Sequence, residues 1–178
     1  MLSPTLTVFR NALFLCDLPE VYNNPDNAFV PERMRRSWEK YRAGTGFDES
    51  NRAGRMEEFE MYKELTGMLY RGGVTLLAGT DTGTQYTPPG FGLHQELELL
   101  VKSGLPPSAA LQAATINNAR ALKQTENLGS VEVGKLADMV ILNANPLDDI
   151  RNTRKIHKVI RGGIVCDPKT VLKAVPTH

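Results

Sequence analysis

The feature that most constrains the fold is a short apolar segment that ends at a single carboxylate. Residues 74–78 read Val-Thr-Leu-Leu-Ala between glycines, and the chain then continues as Gly79-Thr80-Asp81. A continuous apolar run of this length, β-branched at its start, is typical of a parallel strand covered on both faces. Ligands of parallel α/β proteins bind beyond the carboxyl ends of the strands, so Asp81 is a candidate functional residue.

The residues around Asp81 leave a structural role open as well. An aspartate after a strand often caps a turn or the next helix, and that role suits Asp81 as well as catalysis does. The loop 82–92 is polar and rich in glycine and proline, which makes Thr82 and Tyr86 candidate substrate-binding residues. His94 follows at the start of a helical pattern, either facing a substrate or making only local hydrogen bonds.

Helical patterns surround the apolar segment, which is the order expected of an α/β protein. Apolar residues at three- and four-residue spacing predict helices over 51–70 and 93–101. Good helix formers predict a third helix over 32–42. A fourth is predicted to start at Pro106, because proline favours the first turn of a helix, and to end at Asn117 and Asn118. Residues 2–9 have a β-rich composition that predicts a strand, and the turn formers in 18–31 predict a long loop.

After residue 125 the pattern changes to short strands. They are predicted over 130–133, 137–142, 156–161 and 164–166, with Gly162-Gly163 as a two-residue hairpin turn. The chain therefore divides into an α/β segment, residues 1–125, and a β-rich segment, residues 126–178.

Composition excludes several classes of function. The formal net charge is +1 and no basic stripe appears, so nucleic acid is not an expected partner. No run approaches the roughly 20 apolar residues that a bilayer requires, and no signal-peptide pattern is present. Cys16 and Cys166 lie far apart, without disulfide or zinc-ribbon spacing. We therefore expect a cytoplasmic protein that binds no membrane.

Three stretches together point to a known family. They are Gly-Val-Thr-Leu-Leu-Ala-Gly-Thr-Asp at 73–81, the Gly-Leu-His-Gln-Glu helix with Gly-Leu-Pro-Pro and Ala-Ala-Thr within 92–115, and Gly-Ser-Val-Glu-Val-Gly-Lys-Leu-Ala-Asp-Met-Val with Asn-Pro-Leu within 129–147. This combination resembles the C-terminal part of the amidohydrolase superfamily, in particular its imidazolonepropionase-like and Xaa-Pro dipeptidase-like metal-dependent hydrolases. The resemblance is close over 73–166 and loose over 1–72.

The resemblance implies a fold. Members of the superfamily have a (β/α)₈ barrel that carries a small β-sandwich built from both chain ends. A whole barrel takes about 250 residues, whereas this chain has 178. We therefore expect a partial (β/α)₈ TIM barrel, its last two strand-helix units, followed by part of the β-sandwich.

The resemblance also implies a chemistry. In the superfamily a divalent metal, expected to be zinc, activates water and is held by a His-x-His pair, further histidines and an aspartate at the end of the eighth strand. Asp81 corresponds to that aspartate, which implies a metal ligand and a catalytic proton acceptor. His94, His157 and His178 form no His-x-His pair, so we expect this chain alone to hold no metal.

The expected function follows from these implications. The chain is expected to be the C-terminal portion of a hydrolase of C–N bonds in cyclic amide or dipeptide substrates, inactive without the metal-binding half. Unpaired strand edges of an incomplete barrel favour a homo-oligomer or a complementing N-terminal polypeptide. The alternative is a non-catalytic binding or scaffolding domain derived from the same family.

Overall fold

Helices account for most of the secondary structure, and a small antiparallel sheet follows them. The computed structural model describes residues 1–168 and residue 170. In order, its helices are α1 (Leu6–Val8), which continues as a π-helix (Phe9–Phe14), α2 (Pro19–Tyr22), a first 3₁₀-helix (Pro25–Phe29), α3 (Glu32–Gly44), α4 (Glu49–Arg71), α5 (Phe91–Lys102), α6 (Pro107–Ala114), α7 (Ile116–Ala121) and a second 3₁₀-helix (Ile150–Arg154). Its strands are β1 (Met139–Leu142), β2 (Ile156–Arg161) and β3 (Ile164–Cys166).

The helices predicted from apolar periodicity are confirmed. Helix α4 begins two residues before its predicted start because Asp48 accepts the backbone N–H groups of Ser50 and Asn51 in a capping box. It ends at Gly72, as expected. Helix α5 buries Leu97 and Leu100 against the main core. The turn-rich stretch 18–31, predicted to be a loop, instead contains two short helices.

Two clusters of buried side chains hold these elements together. The main core is formed by α1, the apolar segment, α4, α5 and α6, and includes Leu6, Phe59, Leu76, Leu100 and Ala110. The second cluster lies between the π-helix, α2, the first 3₁₀-helix and α3, and consists of Cys16, Val21, Val30, Trp38 and Tyr86.

The strand predicted over residues 2–9 is wrong beyond its first residues. Leu2 forms a parallel bridge with Leu76, and its N–H donates to the Thr75 carbonyl at 3.0 Å. The chain turns at Thr5, whose φ is 47°, and is helical from Leu6 onward. The β-rich composition is overridden because a buried carboxylate, Glu96, accepts the N–H groups of Leu6 and Thr7 at the start of the helix.

The strand predicted over 74–78 is not formed as a regular strand: its one bridge is at Leu76, and of its residues Leu76 and Ala78 are buried while the others are half-buried. Both edges of this segment are nevertheless occupied. One edge bonds Leu2. On the other edge the Leu76 carbonyl accepts from Asn117 Nδ2 and the Ala78 carbonyl accepts from Asn118 Nδ2, each at 3.0 Å. The Ala78 N–H donates to the Ala113 carbonyl at 3.1 Å. The unpaired edge expected of an incomplete barrel is therefore not found on this segment.

Asn117 and Asn118 do not end a helix, contrary to the prediction. They lie within α7, and the break falls earlier, at Thr115, with φ −122° and ψ −95°. The two amides are held in the helix because they bond the carbonyls of the 74–78 segment. An asparagine side chain usually disfavours a helix because it hydrogen-bonds nearby backbone groups, whereas these two side chains bond the backbone of the 74–78 segment.

The sheet has the order β1-β2-β3 with antiparallel pairing throughout. The hairpin turn predicted at Gly162-Gly163 is confirmed, with φ values of 55° and 80°. Residues 130–133 form no strand, since Lys135 bonds back to Glu132 and Ser130 in a local turn. The division of the chain at residue 125 and a partial barrel stay predictions. No helix of the described residues has the length and apolar character to cross a bilayer.

Two glycines of α4 give a test of the packing between α4 and α5. A Cβ at Gly67 would lie 2.1 Å from the Ser103 carbonyl oxygen, whereas a Cβ at Gly54 would meet nothing within 4 Å. We expect Gly67→Ala to lower the free energy of unfolding by about 2 kcal/mol or more through overpacking. Gly54→Ala, the matched control, should raise it by up to about 1 kcal/mol through helix propensity. Urea denaturation measures both, and equal effects of the two substitutions would contradict the close approach.

Candidate active site

Asp81 follows the partly buried 74–78 segment, and its carboxylate makes no hydrogen bond with the described residues. Its backbone φ is 48°, in the left-handed region, and its side chain is exposed. The turn is closed by the Asp81 carbonyl, which accepts from Thr84 N at 3.3 Å and Thr84 Oγ1 at 2.8 Å. The carboxylate itself has no hydrogen bond or ion pair among the described residues. A capping role for this side chain is therefore not found, and α5 begins at Phe91 after the N-cap Gly90, without a side-chain cap.

The backbone just before Asp81 lies close to Ser3, the residue after Leu2 of the parallel bridge. A Cβ at Gly79 would lie 2.6 Å from Ser3 Oγ, so the Ser3 side chain packs directly on the Gly79 backbone. Thr82, a predicted substrate-binding residue, is exposed on the same turn and bridges to Thr84. Asp81 and Thr82 thus share one turn, just after the segment that pairs with Leu2.

Tyr86, the next predicted substrate-binding residue, is buried. It is 4% exposed and has a φ of 56°, a strained conformation for an aromatic residue. Asn11 Nδ2 donates to its carbonyl at 2.8 Å, and its ring lies 5.3 Å from that of Trp38. Burial raises the pKa of the Tyr86 phenol, and the nearby Arg42 guanidinium opposes that rise.

Tyr86 lines a cavity of about 420 Å³ between the first 3₁₀-helix and α3. Trp38, Arg42, Tyr22 and Asn27 also line it. Both walls lie between Leu2 and Leu76 in the sequence, and Tyr86 comes from the loop that follows Asp81. Neither Asp81 nor Thr82 lines it.

His94, the third predicted substrate-binding residue, connects α5 to the second 3₁₀-helix. Its Nδ1 lies 3.0 Å from Thr153 Oγ1, and burial, together with the charge of Arg154, lowers the pKa of the imidazole. Arg154 in turn donates to Glu98 at 3.3 Å and to Asp26 at 2.9 Å. The hydrogen bond of His94 is long-range, so the imidazole joins two distant parts of the chain. His178 lies outside the described residues.

Glu96 is the most deeply buried of these groups, at 0% exposure, and no role was predicted for it from the sequence. It is fully buried, and its carboxylate accepts Leu6 N at 3.1 Å, Thr7 N at 2.7 Å and Thr7 Oγ1 at 2.8 Å. Burial raises its pKa to about 7, against the effect of these hydrogen bonds. The available signal was an acidic residue on the apolar face of α5, next to Leu97 and one turn before Leu100.

The described residues do not make a metal site by themselves. Among residues 1–168 and 170, no three His, Cys, Asp or Glu side chains come together in a group that could hold a metal ion. A catalytic zinc generally takes about three protein ligands. Asp81 could therefore supply one ligand at most.

Comparison with known proteins identifies the family. The sequence profile of the amidohydrolase family matches residues 60–165, which include Asp81, His94 and Glu96. The chain belongs to the amidohydrolase family. Members of this family hydrolyse C–N bonds and are generally metal-dependent.

Curated relatives are similar to part of this amidohydrolase chain. The imidazolonepropionase of Symbiobacterium thermophilum is 46% identical over 65 residues, which cover 34% of this chain and 15% of the relative. Adenine deaminase 4 of Rhizobium meliloti is 37% identical over 86 residues, or 47% of this chain and 13% of the relative. The chain thus spans less than a fifth of the length of either relative.

Solved structures are similar over more of the chain. A Xaa-Pro dipeptidase with bound methionine in its active site matches with a TM-score of 0.57 and 27% identity, covering 80% of this chain and 33% of the dipeptidase. A bottromycin amidohydrolase matches with a TM-score of 0.78 and 21% identity, covering 96% of this chain and 38% of that structure, which shows the shared fold.

We expect the free energy of unfolding to depend on pH because Glu96 is buried. Its pKa is about 7 in the folded chain against a usual value of 4.5. Between these values the folded state holds a proton that the unfolded state releases, so the free energy of unfolding falls as pH rises. The predicted loss is about 3 kcal/mol, and the contribution is fully present only below pH 4.5.

Glu96→Gln removes this titration, so its stability difference from the parent chain should change by about that amount between pH 4.5 and pH 7.5. Glu58→Gln, at an exposed glutamate of α4, controls for a change in net charge. Urea unfolding at both pH values gives the measurement. A stability difference for Glu96→Gln that does not change with pH would contradict the prediction.

Proposed function

We propose that this chain supplies the C-terminal part of a metal-dependent amidohydrolase that hydrolyses C–N bonds in cyclic amides or dipeptide-like molecules. Membership of the amidohydrolase family supports the reaction class. Similarity to an imidazolonepropionase and to a Xaa-Pro dipeptidase supports the substrate class. The proposed fold of the complete enzyme is a (β/α)₈ barrel, of which this chain provides the last two strand-helix units and part of the β-sandwich.

The observation that carries the proposal is the state of the Asp81 carboxylate. It lies just beyond the partly buried 74–78 segment, in a left-handed conformation, and no described residue bonds its oxygens. Left-handed backbone at a residue other than glycine costs free energy and occurs preferentially at functional sites. A short side chain on such a fixed turn has little freedom, which suits a group that accepts a proton at hydrogen-bond distance.

Asp81 is proposed to act as a proton acceptor and as one ligand of a divalent metal, for which zinc is our candidate. The other ligands would come from chain outside the described residues, since these do not form a ligand set. Thr82 is on the same turn and is proposed to contact the substrate. Cys16 and Cys166 are both unpaired thiols, which supports a cytoplasmic location.

The sheet of the β-rich segment has exposed apolar surface of the kind that a partner chain covers. Exposed apolar side chains cover its sheet, with exposed fractions of 54% at Val140, 71% at Ile164 and 61% at Val165. A three-stranded sheet with so much apolar surface in water is a common mark of an interaction surface. We propose that a second copy or a complementing N-terminal polypeptide covers it.

A second candidate function is a binding domain that has kept the family fold without its chemistry. The observation in its favour is the cavity beside Tyr86, which Asp81 does not line. The two functions differ in what Asp81 does, because a binding domain of this kind has no need for its carboxylate.

The test is hydrolysis by the chain isolated from its natural host together with the chains that accompany it, with zinc added. Substrates are a panel of dipeptides, N-acyl amino acids and cyclic amides. We expect Asp81→Asn to lower turnover about 100-fold to 10,000-fold, the usual contribution of a general acid or base. Asparagine tolerates left-handed backbone, so the free energy of unfolding should change by less than about 0.5 kcal/mol.

Glu58→Gln is the matched control, since it removes one exposed carboxylate elsewhere in the chain. It should leave turnover unchanged. Full activity of Asp81→Asn would overturn the catalytic role of Asp81. Absence of hydrolysis of the whole panel by the parent assembly would favour the binding domain.

A further inference from the structure

A strap formed by residues 22–29 provides one wall of the 420 Å³ cavity, with α3 opposite. It runs between Val21 and Val30, which are 1% and 2% exposed in the second cluster. Within the strap only Asn27 is buried, and its Nδ2 donates to the carbonyls of Val21 and Tyr22. Asn27 Oδ1 has no hydrogen-bond partner among the described residues. The strap is therefore anchored at its two ends, and no apolar side chain between them is fully buried.

The backbone of the strap bonds to itself. The N–H groups of Asn24, Asn27 and Val30 donate to the carbonyls of Val21, Asn24 and Asn27 respectively. The two helices of this part of the chain, α2 and the first 3₁₀-helix, have four and five residues. Helices this short are not stable alone and depend on packing against other elements. The position of the strap is therefore set by the contacts that its middle makes.

Two side chains fasten the middle of the strap to other elements. Asp26 and Phe29 are the strap residues that do not line the cavity. The Asp26 carboxylate accepts Arg154 Nη1 at 2.9 Å, and the Phe29 ring stacks on Phe91 at 4.8 Å. Arg154 belongs to the second 3₁₀-helix and Phe91 to α5, whereas the opposite wall of the cavity belongs to α3.

The elements that receive the strap are joined to each other without it. Thr153 Oγ1 of the second 3₁₀-helix lies 3.0 Å from His94 Nδ1 of α5, and Arg154 Nε donates to Glu98 of α5 at 3.3 Å. Removing the partner of a buried charge is costly because the charge is left uncompensated. Arg154 keeps Glu98 as a counter-ion when Asp26 leaves, and the freed Asp26 carboxylate gains water. The bond between Asp26 and Arg154 can therefore open while both ends stay satisfied.

We infer that the strap is a gate of the cavity and that the ion pair between Asp26 and Arg154 is its latch. With the latch closed, residues 22–29 form a fixed wall. With the latch open, the stacking of Phe29 on Phe91 is the remaining contact of the middle, and the strap moves about its anchors Val21 and Val30. The inference depends neither on what the cavity binds nor on catalysis by Asp81.

The latch should respond to salt because it is only partly buried. The exposed fractions are 14% for the Asp26 side chain and 32% for the Arg154 side chain. Mobile ions screen charges that water reaches. An increase in ionic strength therefore shifts the strap toward its open position.

The experiment is amide hydrogen exchange of the full chain, read by mass spectrometry on peptides that cover the strap. Asp26→Asn removes the charge and keeps the size of the side chain, and Arg154→Gln removes the guanidinium. We expect each to raise the exchange rate of the strap amides at least about fivefold, with no change in the middle of α4. Arg151→Gln is the matched control on the same 3₁₀-helix, since Arg151 pairs with Asp149 instead. It should leave the exchange of the strap unchanged.

The double variant and a salt series test whether the two side chains act as one latch. Asp26→Asn combined with Arg154→Gln should exchange no faster than the faster single variant, because both remove the same contact. Raising sodium chloride from about 20 mM to about 500 mM should speed exchange of the strap in the parent chain and leave it unchanged in Asp26→Asn. Circular dichroism shows whether each variant is folded, and Asp26→Asn keeps the test valid if Arg154→Gln is not.

Three results would overturn the inference. They are unchanged exchange of the strap in Asp26→Asn, an equal rise in Arg151→Gln and Arg154→Gln, and a rise that extends over α4, which would show a loss of overall stability. Each of these leaves the hydrolysis experiment on Asp81→Asn unaffected.

Discussion

The hydrogen bonds between the Glu96 carboxylate and the start of α1 determine the path of the chain near the candidate sites. A fully buried carboxylate is expensive to desolvate, and this one is retained because it meets three donors, two of them backbone N–H groups that a helix start would otherwise leave unsatisfied. Leu2 can therefore lie beside Leu76 while the chain leaves the extended conformation only a few residues later.

The same contact has consequences at the cavity. Once Glu96 fixes Leu6 and Thr7 against α5, the following helical turns carry Asn11 to a position where its amide bonds both Gln95 and the Tyr86 carbonyl. That bond holds Tyr86 in a conformation its side chain disfavours and places its ring against Trp38. The segment that carries Asp81 pairs with Leu2, four residues before Leu6, so both candidate sites lie near this buried junction.

Local patterns predicted the parts of the fold that local interactions determine. The periodicity of α4 and α5 and the Gly162-Gly163 turn depend on residues close in sequence, and all three are confirmed. The strand predicted over residues 2–9 is wrong because Glu96, about 90 positions away, satisfies the helix start. The prediction that Asn117 and Asn118 end a helix is wrong for the same reason, because their amides bond carbonyls some 40 residues earlier in the chain.

The residues of the candidate sites likewise divide into those that local sequence predicts and those that it does not. Asp81 was accessible from sequence because a buried run that ends at a lone acid is a local signal, although its catalytic role stays a proposal. Tyr86 was selected as a loop residue, whereas its burial against Trp38 depends on a helix that precedes it by some 45 residues. The unsatisfied oxygen of Asn27 could not be predicted, because only the folded chain shows that its amide nitrogen is already engaged.

The measurement that tests this account most directly is amide hydrogen exchange at Leu6 and Thr7, read residue by residue by NMR. If the Glu96 carboxylate holds these two N–H groups in a buried junction, they should exchange only when the whole chain unfolds, as slowly as the amides in the middle of α5. Exchange at the rate of exposed loop amides would show that the junction is open in solution, and the account would be wrong.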